Sequence, residues 1–314
     1  MNILQSGRTG FCNFITRIFR IFNTELCRFI SLLKFRGYYK LKPSNISGCK
    51  YLFNEFEIKN KLKKQLRLCR FIKYYKRLTS TQTILKKLAQ ESCEEGLIIV
   101  CDEQTHGYGR IDRAWSSDAG GLWFSILLRP SMHPDKVAGL ALLLSIALNR
   151  TLIKYKFDSG IKWPNDIFVN GKKAAGILTE MSAHQDKINW VVAGIGVNIN
   201  NKLPKSLADV SISLKDVLGK ELDRAEFLGD FLCTFEEIYD DFCKDRFEKF
   251  VDEYNCNLIY KNDVVTIDDG YSVISGLNLG IDRKGRLVLD TKFGLKKIVS
   301  GTLRKCEVNL NTSS

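Results

Sequence analysis

No two of the ten cysteines form a CxxC pair, and their positions, 12, 27, 49, 69, 93, 101, 233, 243, 256 and 306, follow no regular framework. That argues against a disulfide-stapled scaffold and for reduced thiols in a cytosol-like compartment. Histidine is scarce. His106, His133 and His184 are the only three, isolated from any cysteine pair and from HExxH spacing, so no zinc centre is expected. Long apolar runs are also missing: the longest, residues 137–148, is too short for a hydrocarbon core that needs about 20 residues. A polytopic membrane protein is excluded, and this run reads as a buried helix. Neither GxxxxGK[ST] nor a full GxGxxG opening a helix is present, which removes a P-loop and a Rossmann dinucleotide site.

What is present is an ordinary globular composition with an unusual charge distribution. The 314 residues are 45% apolar and 26% charged, long enough for about two domains with a substantial buried core. The net charge of +13 is confined to one end: residues 1–77 carry 18 lysines and arginines against Glu25, Glu55 and Glu57, while the rest holds 30 basic and 32 acidic residues. A polyanion or membrane-surface argument therefore concerns the N-terminal arm alone. Within its first 36 residues Phe14, Ile18, Phe22, Leu26, Phe29 and Leu33 recur at helical spacing among arginines. A basic amphipathic helix of this kind suits an organellar presequence, a membrane-surface helix or a partner-docking helix, or lies simply outside the folded core. Turn-rich residues 42–48 separate it from a second basic helix expected over about 56–75.

From residue 78 strands and helices alternate with mixed charge, and the compact domain is expected to begin there. Thr79, Ser80 and Thr81 offer caps for a helix through Ile84, Leu85 and Leu88. Residues 97–101 and 122–128 read as strands, and Pro134 and Asp135 open a long buried helix. Asn170-Gly171 between two apolar runs gives a type I′ hairpin, and residues 190–197 form a further strand. Leu228, Phe231, Phe235, Ile238 and Phe242 make the apolar stripe of a helix packed on a sheet. Short β-rich runs over 262–308, broken by glycine turns, give a small all-β module of about 45 residues.

Two stretches carry chemistry. Between a strand and Trp115, Gly107 and Gly109 stand beside Arg110 and Arg113; glycines let backbone N–H groups approach oxyanions, and guanidinium forks clamp phosphate. In Lys162-Trp163-Pro164-Asn165-Asp166, the proline biases Trp163 toward an extended backbone, presenting Lys162 and Asn165 from a strand end. A lysine there, partly desolvated by Trp163, neutralises a carboxylate and a phosphate that must meet despite like charge. Each stretch also has a plain reading, as solvated surface cations and turn residues satisfying their own backbone.

In combination the blocks resemble the biotin protein ligase family, from about Tyr75 to Val308. Ser80-Thr81 stands in the S-T-N position, and Gln104-Thr105 with Gly107-Tyr108-Gly109-Arg110 and Trp115 in Q-T-x-G-R-G-R…W. Lys162 to Asp166 matches K-W-P-N-D, and Gly194 to Asn198 matches G-x-G-x-N. The resemblance implies an α+β fold: a class II synthetase-like mixed β-sheet flanked by helices, spanning residues 75–258, with a small C-terminal SH3-like β-barrel at 259–314. The basic helical N-terminal extension, 1–74, stays outside it. It further implies ATP-dependent formation of biotinyl-5′-AMP, with Mg2+, and transfer of biotin to one lysine of a biotin carboxyl carrier domain.

By the same resemblance Ser80, Thr81, Gln82, Gln104, Tyr108, Gly109, Arg110, Trp115 and Lys162 would line the biotin side, Lys162 and Arg110 would also be catalytic, and Gly107, Gly109, Arg110, Asn165, Lys173 and Asn198 would hold the nucleotide. No side chain is expected to form a resident metal centre. Gln82 and Tyr108 depart from the family's asparagine and arginine, putting one ligand contact and the closure of the glycine loop in question. A homodimer, a membrane-bound arm and an organellar location stand as alternatives beside a cytoplasmic enzyme. Lipoate or octanoyl ligation is the same-chemistry rival, and a biotin-responsive repressor acting through the arm is the rival of another class, although the arm shows no clear helix-turn-helix and no nucleic-acid partner is expected.

Overall fold

Two sheets organise the chain in the computed structural model, which describes residues 53–62, 66–91 and 93–306. The amphipathic arm, the turn at 42–48 and Val308 lie outside the described residues. Strands β1 (Phe71–Leu78), β2 (Leu97–Gln104), β3 (Leu122–Leu128), β4 (Ser159–Lys162), β5 (Asp166–Val169), β6 (Lys172–His184) and β7 (Lys187–Val197) form a mixed sheet in the order β1-β2-β3-β7-β6-β5-β4. Only β1 and β2 run parallel. Strands β8 (Val264–Asp268), β9 (Val273–Ile281), β10 (Leu287–Thr291), β11 (Gly294–Ile298) and β12 (Thr302–Lys305) make an antiparallel sheet ordered β11-β10-β9-β8-β12. The α+β class expected from the sequence is the one observed, with a mixed sheet flanked by helices and a second sheet at the C-terminal end.

The helices are α1 (Glu55–Lys61), α2 (Thr81–Gln90), α3 (Ala138–Lys154), α4 (Leu214–Leu218), α5 (Arg224–Cys243) and α6 (Val251–Asn257). Helix α3 is apolar nearly all round because it is covered on both sides, by β4–β6 and by α5. The phenylalanine stripe of α5, Phe227, Phe231, Phe235 and Phe242, is buried against the same core. Helix α2 lies on the opposite face of the large sheet, over β2, β3 and β7.

Strand alternation decides what each face does. On β3, Leu122, Phe124, Ile126 and Leu128 enter the main core, whereas Leu127 joins Ile99 and Val192 in the smaller cluster under α2. Further along that second face the side chains shrink: Ser125 lies opposite Gly194, and Gly196 lies between Trp123 and Gly176 on its two neighbouring strands. The same period that fills one face with leucine and isoleucine leaves a shallow glycine floor on the other.

The N-terminal part of this unit differs from the sequence expectation. Instead of a helix over 56–75 there is α1, a short 3-10 turn at Arg67–Cys69 and strand β1, so the expected 74/75 boundary falls inside a strand. Ile58, Leu66, Leu68 and Ile72 are core residues, and the folded unit therefore starts well before residue 78. In β1 buried Ile72 and half-buried Tyr74 alternate with exposed Phe71, Lys73 and Tyr75, a period of two that a run of basic residues obscures. Lys73, Lys76 and Arg77 lie along an edge strand, where charge discourages strand addition. The hairpin reading holds: Asn170 and Gly171 have φ of 49° and 75°, the paired positive values of a type I′ turn.

Candidate active site

A cleft of about 300 Å³ opens over the glycine floor. Its walls come from the start of α2, the loop between β2 and β3, the β4–β5 turn, the segment after β7 and the first residues of β12.

At the α2 end a polar cluster replaces the apolar packing. Ser80 caps the helix, and the next residue, Thr81, donates its backbone N–H to Gln104 Oε1 at 2.8 Å. The Thr81 and Ser125 hydroxyls are 2.8 Å apart, Ser125 donates to Gln82 Oε1 at 3.0 Å, and Gln82 Nε2 donates to the Val192 carbonyl at 3.0 Å. A carbonyl can only accept, so the direction propagates: Gln82 gives its N–H to Val192, Ser125 gives its proton to Gln82, and the single Thr81 proton goes to Ser125 or to Gln104 Oε1, 3.2 Å away. Lone pairs of Thr81 and Ser125 are then the acceptors left for the cleft. Gln104 Nε2 spends one proton on Ser117 Oγ at 2.8 Å and keeps the other. Acceptors and a donor converge at one end of a concave site, which is how a small polar head group is oriented.

Gln82 therefore reaches the floor by pairing with a missing side chain. A Cβ on Gly194 would stand 2.6 Å from Gln82 Oε1.

The loop that follows β2 is a small ladder, with Gln104 N–H to Ser117 O at 3.0 Å, Trp115 N–H to Gly107 O at 2.9 Å and Gly109 N–H to Arg113 O at 2.8 Å. Gly107 sits behind this ladder rather than in the cleft wall: its Cβ would lie 2.4 Å from Ser117 Oγ. Tyr108 donates to Glu180 at 3.0 Å, while Lys86 pairs with the same carboxylate at 2.7 Å and covers the tyrosine ring. The Trp115 indole lies against Gly176 and Gly196, where a Cβ would come within 3.1 and 2.7 Å of it.

Two half-buried cations face the cleft without a carboxylate partner among the described residues. Arg110 donates to the Gly301 carbonyl at 3.2 Å and to Asn165 Oδ1 at 3.5 Å. Burial lowers its pKa, with Arg113 adding to the effect and Asp166 opposing it. Lys162, at the end of β4, has its pKa lowered by burial and by Lys173 and Arg304, against the pull of Asp166. Lys173 by contrast is neutralised by Asp166 at 2.7 Å and lies over Trp115. Asn165 is held by its backbone and side chain against Ile177, and buried Asn198 accepts from Asn201 at 3.2 Å. Unpaired, partly desolvated cations favour a ligand that brings negative charge.

Ser80, Thr81, Gln82, Gln104, Tyr108, Gly109, Arg110, Trp115, Lys162, Asn165, Lys173 and Asn198 all line this one cleft. Sequence reasoning missed Ser125, the Leu203, Leu207 and Ser211 side of the cleft, and Gly301, Thr302 and Leu303 from the C-terminal sheet. The serine was hidden in an apolar strand, and the other segments carry no local pattern; their approach is tertiary.

Residues 74–198 match the Biotin/lipoate A/B protein ligase family. Over 286 residues the chain is 35% identical to the Bifunctional ligase/repressor BirA of Bacillus subtilis, covering 87% of this chain and 84% of that protein. The chain belongs to the biotin protein ligase family. The Biotin--[acetyl-CoA-carboxylase] ligase of Paracoccus denitrificans is 27% identical over 61% of this chain and 82% of its own length. Among solved structures, biotin protein ligase from Aquifex aeolicus in complex with biotin and ATP superposes with a TM-score of 0.67 at 30% identity, covering 76% of this chain and all of that one. Two positions set this member apart from the family motifs, Gln82 and Tyr108, and both are hydrogen-bonded within the protein: the first to Val192 and Ser125, the second to Glu180.

Proposed function

We propose that this chain is an ATP-dependent biotin protein ligase that makes biotinyl-5′-AMP and passes the biotinyl group to a lysine of a biotin carboxyl carrier domain. The observation that carries the reading is the pair Lys162 and Arg110, cationic, half-buried and without a carboxylate partner among the described residues, in the same cleft as the Thr81–Gln82–Ser125–Gln104 cluster. A carboxylate approaching a triphosphate is repelled by about 4 kcal/mol per pair of unit charges at 4 Å and an effective dielectric constant near 20. Lys162 offsets that repulsion, and one cleft holding both reactants supplies the proximity advantage. The biotin carboxylate oxygen forms a bond to the α-phosphorus as the bond to the bridging oxygen breaks, releasing pyrophosphate. The carrier amine then attacks the acyl carbon and AMP leaves, the amine's proton passing to solvent. Arg110 and the glycine loop shield the mixed anhydride from water between the two steps.

The ureido ring of biotin offers two N–H donors and a carbonyl acceptor, which suits the acceptors of Thr81 and Ser125 and the free N–H of Gln104. A dithiolane would leave those groups buried and unpaired, and this disfavours lipoate. Among the described residues no group of three His, Cys, Asp or Glu side chains stands ready for a metal ion. Mg2+ is therefore read as entering with the triphosphate, whose oxygens and waters supply most of its shell. Biotin-dependent exchange of labelled pyrophosphate into ATP, followed by labelling of a carrier domain, tests the reading. Exchange driven by lipoate and not by biotin would overturn it.

One observation favours an added repressor role. The Bacillus subtilis relative covers 87% of this chain, more than residues 75–314 alone supply, so the similarity enters the basic arm. Salt-dependent binding of biotinyl-adenylate-loaded protein to upstream DNA of biotin genes tests it.

A further inference from the structure

Lys162 has to stay charged in a cleft that dries when substrates bind, and it has to do so without a carboxylate that would compete with them. Its ammonium lies 5.1 Å from the centre of the Phe168 ring and 5.9 Å from that of Tyr260. These two rings come from different parts of the chain. Phe168 is on β5, the strand that pairs with β4. Tyr260 follows α6 at the approach to the C-terminal sheet. It is brought beside β4 by the neighbouring backbone: Leu258 bridges to Ile161, and Ile259 donates its N–H to the Ile161 carbonyl at 2.9 Å.

The backbone at Tyr260 is in the left-handed region, φ 61°, which glycine or asparagine would adopt more readily. Fully buried Asn278 holds it there, donating from Nδ2 to the Tyr260 carbonyl at 2.9 Å, while the Asn262 N–H binds the Asn278 carbonyl at 2.8 Å. A bulky aromatic residue is thus kept in an unfavourable conformation by the second sheet, with its ring toward the lysine. Nothing among the described residues hydrogen-bonds the Tyr260 hydroxyl, so the ring is the working part.

We propose that Phe168 and Tyr260 form an aromatic clamp that holds the Lys162 ammonium charged and aimed into the cleft, with Tyr260 acting as a positioning residue supplied from the C-terminal side. The ring faces carry the negative end of the quadrupole and stabilise a cation without offering a lone pair or a formal charge. The lysine is positioned as a carboxylate partner would position it, yet remains free for the incoming anions. The inference rests on the ligase reading for its catalytic meaning and not for its geometry. The charged groups around Lys162 are Asp166 on β5, Lys173 on β6, Arg304 on β12 and Arg110 from the glycine loop, and Lys305 lies over the same Tyr260 ring. Of these only Asp166 favours the ammonium, and Lys173 already engages it.

The test follows the Lys162 titration directly, by NMR of protein carrying 13C at the lysine ε-carbons, assigned with Lys162→Ala, in the full chain without substrates. Tyr260→Leu should lower the Lys162 pKa by about half a unit to one unit, the size expected of one partly buried cation–π contact. Tyr260→Phe should restore the wild-type value. In parallel, Tyr260→Leu should cut kcat for adenylation roughly tenfold and move its alkaline limb to lower pH, with Tyr260→Phe again restoring both. A Lys162 pKa unchanged by Tyr260→Leu, or lowered as much by Tyr260→Phe, would overturn the clamp. Wild-type protein that makes no biotinyl-adenylate would sink the ligase reading instead, and the titration would still decide the clamp.

Discussion

Gln82 shows how one residue can serve a site through the neighbours it holds. Both ends of its amide are spent, one on Val192 and one on Ser125, and the space it needs exists because residue 194 has no Cβ. Gly194→Ala should therefore push Gln82 aside and leave Ser125 and Thr81 free to rotate. Losing a buried hydrogen-bond partner costs about 1–3 kcal/mol, so the KM for biotin should rise roughly tenfold or more while that for ATP changes little. Steady-state exchange assays separate the two. Lys162 gives a second residue-scale prediction. In the proposed reaction it works as the ammonium, and burial lowers its pKa, so activity should be lost on raising the pH, with a midpoint below the usual lysine value of about 10.4. Lys162→Ala should abolish adenylation in a folded protein, and a guanidinium at that position, in Lys162→Arg, should remove the alkaline limb from whatever activity survives.

At the scale of elements, legibility followed the range of the interactions. The type I′ hairpin, the α5 stripe and the cap of α2 were readable because each depends on residues a few positions apart. Strand β1 was not, since its identity depends on pairing with β2, and its own sequence, basic and aromatic, serves a helix equally well. The site divides the same way. The loop at 104–115 and the Lys162–Asp166 block were visible as local motifs, whereas the glycine floor exists only once Gly176 and Gly196 are brought opposite each other. Ser125 became a site residue through its place opposite Gly194. Helix α5 allows a stability test away from the cleft. Asp223 caps it by accepting from the N–H groups of Ala225 and Glu226 at 3.0 and 3.1 Å, and it also meets Lys61 of α1 at 3.0 Å. Asp223→Ala should cost about 1 kcal/mol, most of it from the cap because the ion pair with Lys61 stays within reach of solvent. Thermal unfolding should show a lower midpoint, with adenylation at 25 °C unaffected.

For the whole molecule, the distribution of charge and the location of the site point in different directions. Among the described residues, those that line the cleft lie between Ser80 and Leu303. Residues 1–52 carry nine lysines and arginines against Glu25 alone, so removing them subtracts eight of the thirteen net positive charges. What remains, from Phe53 onward, contains α1 and β1 and hence the packing that Ile58, Leu66, Leu68 and Ile72 supply. A chain starting at residue 53 should therefore fold and catalyse biotin-dependent pyrophosphate exchange at close to the full-length rate. One starting at residue 79 should not, because it removes the edge strand of the sheet and opens the core beneath it. If the arm binds a polyanion, the two longer proteins should differ in a second way. Counterion release makes the logarithm of affinity fall linearly with the logarithm of salt concentration, with a slope set by the number of phosphates neutralised, and the full-length protein should show the steeper slope on duplex DNA. Equal slopes would assign the arm no nucleic-acid role, whatever its charge. Exchange activity lost on deleting residues 1–52 would overturn the expectation that the unit from Phe53 onward is sufficient for adenylation.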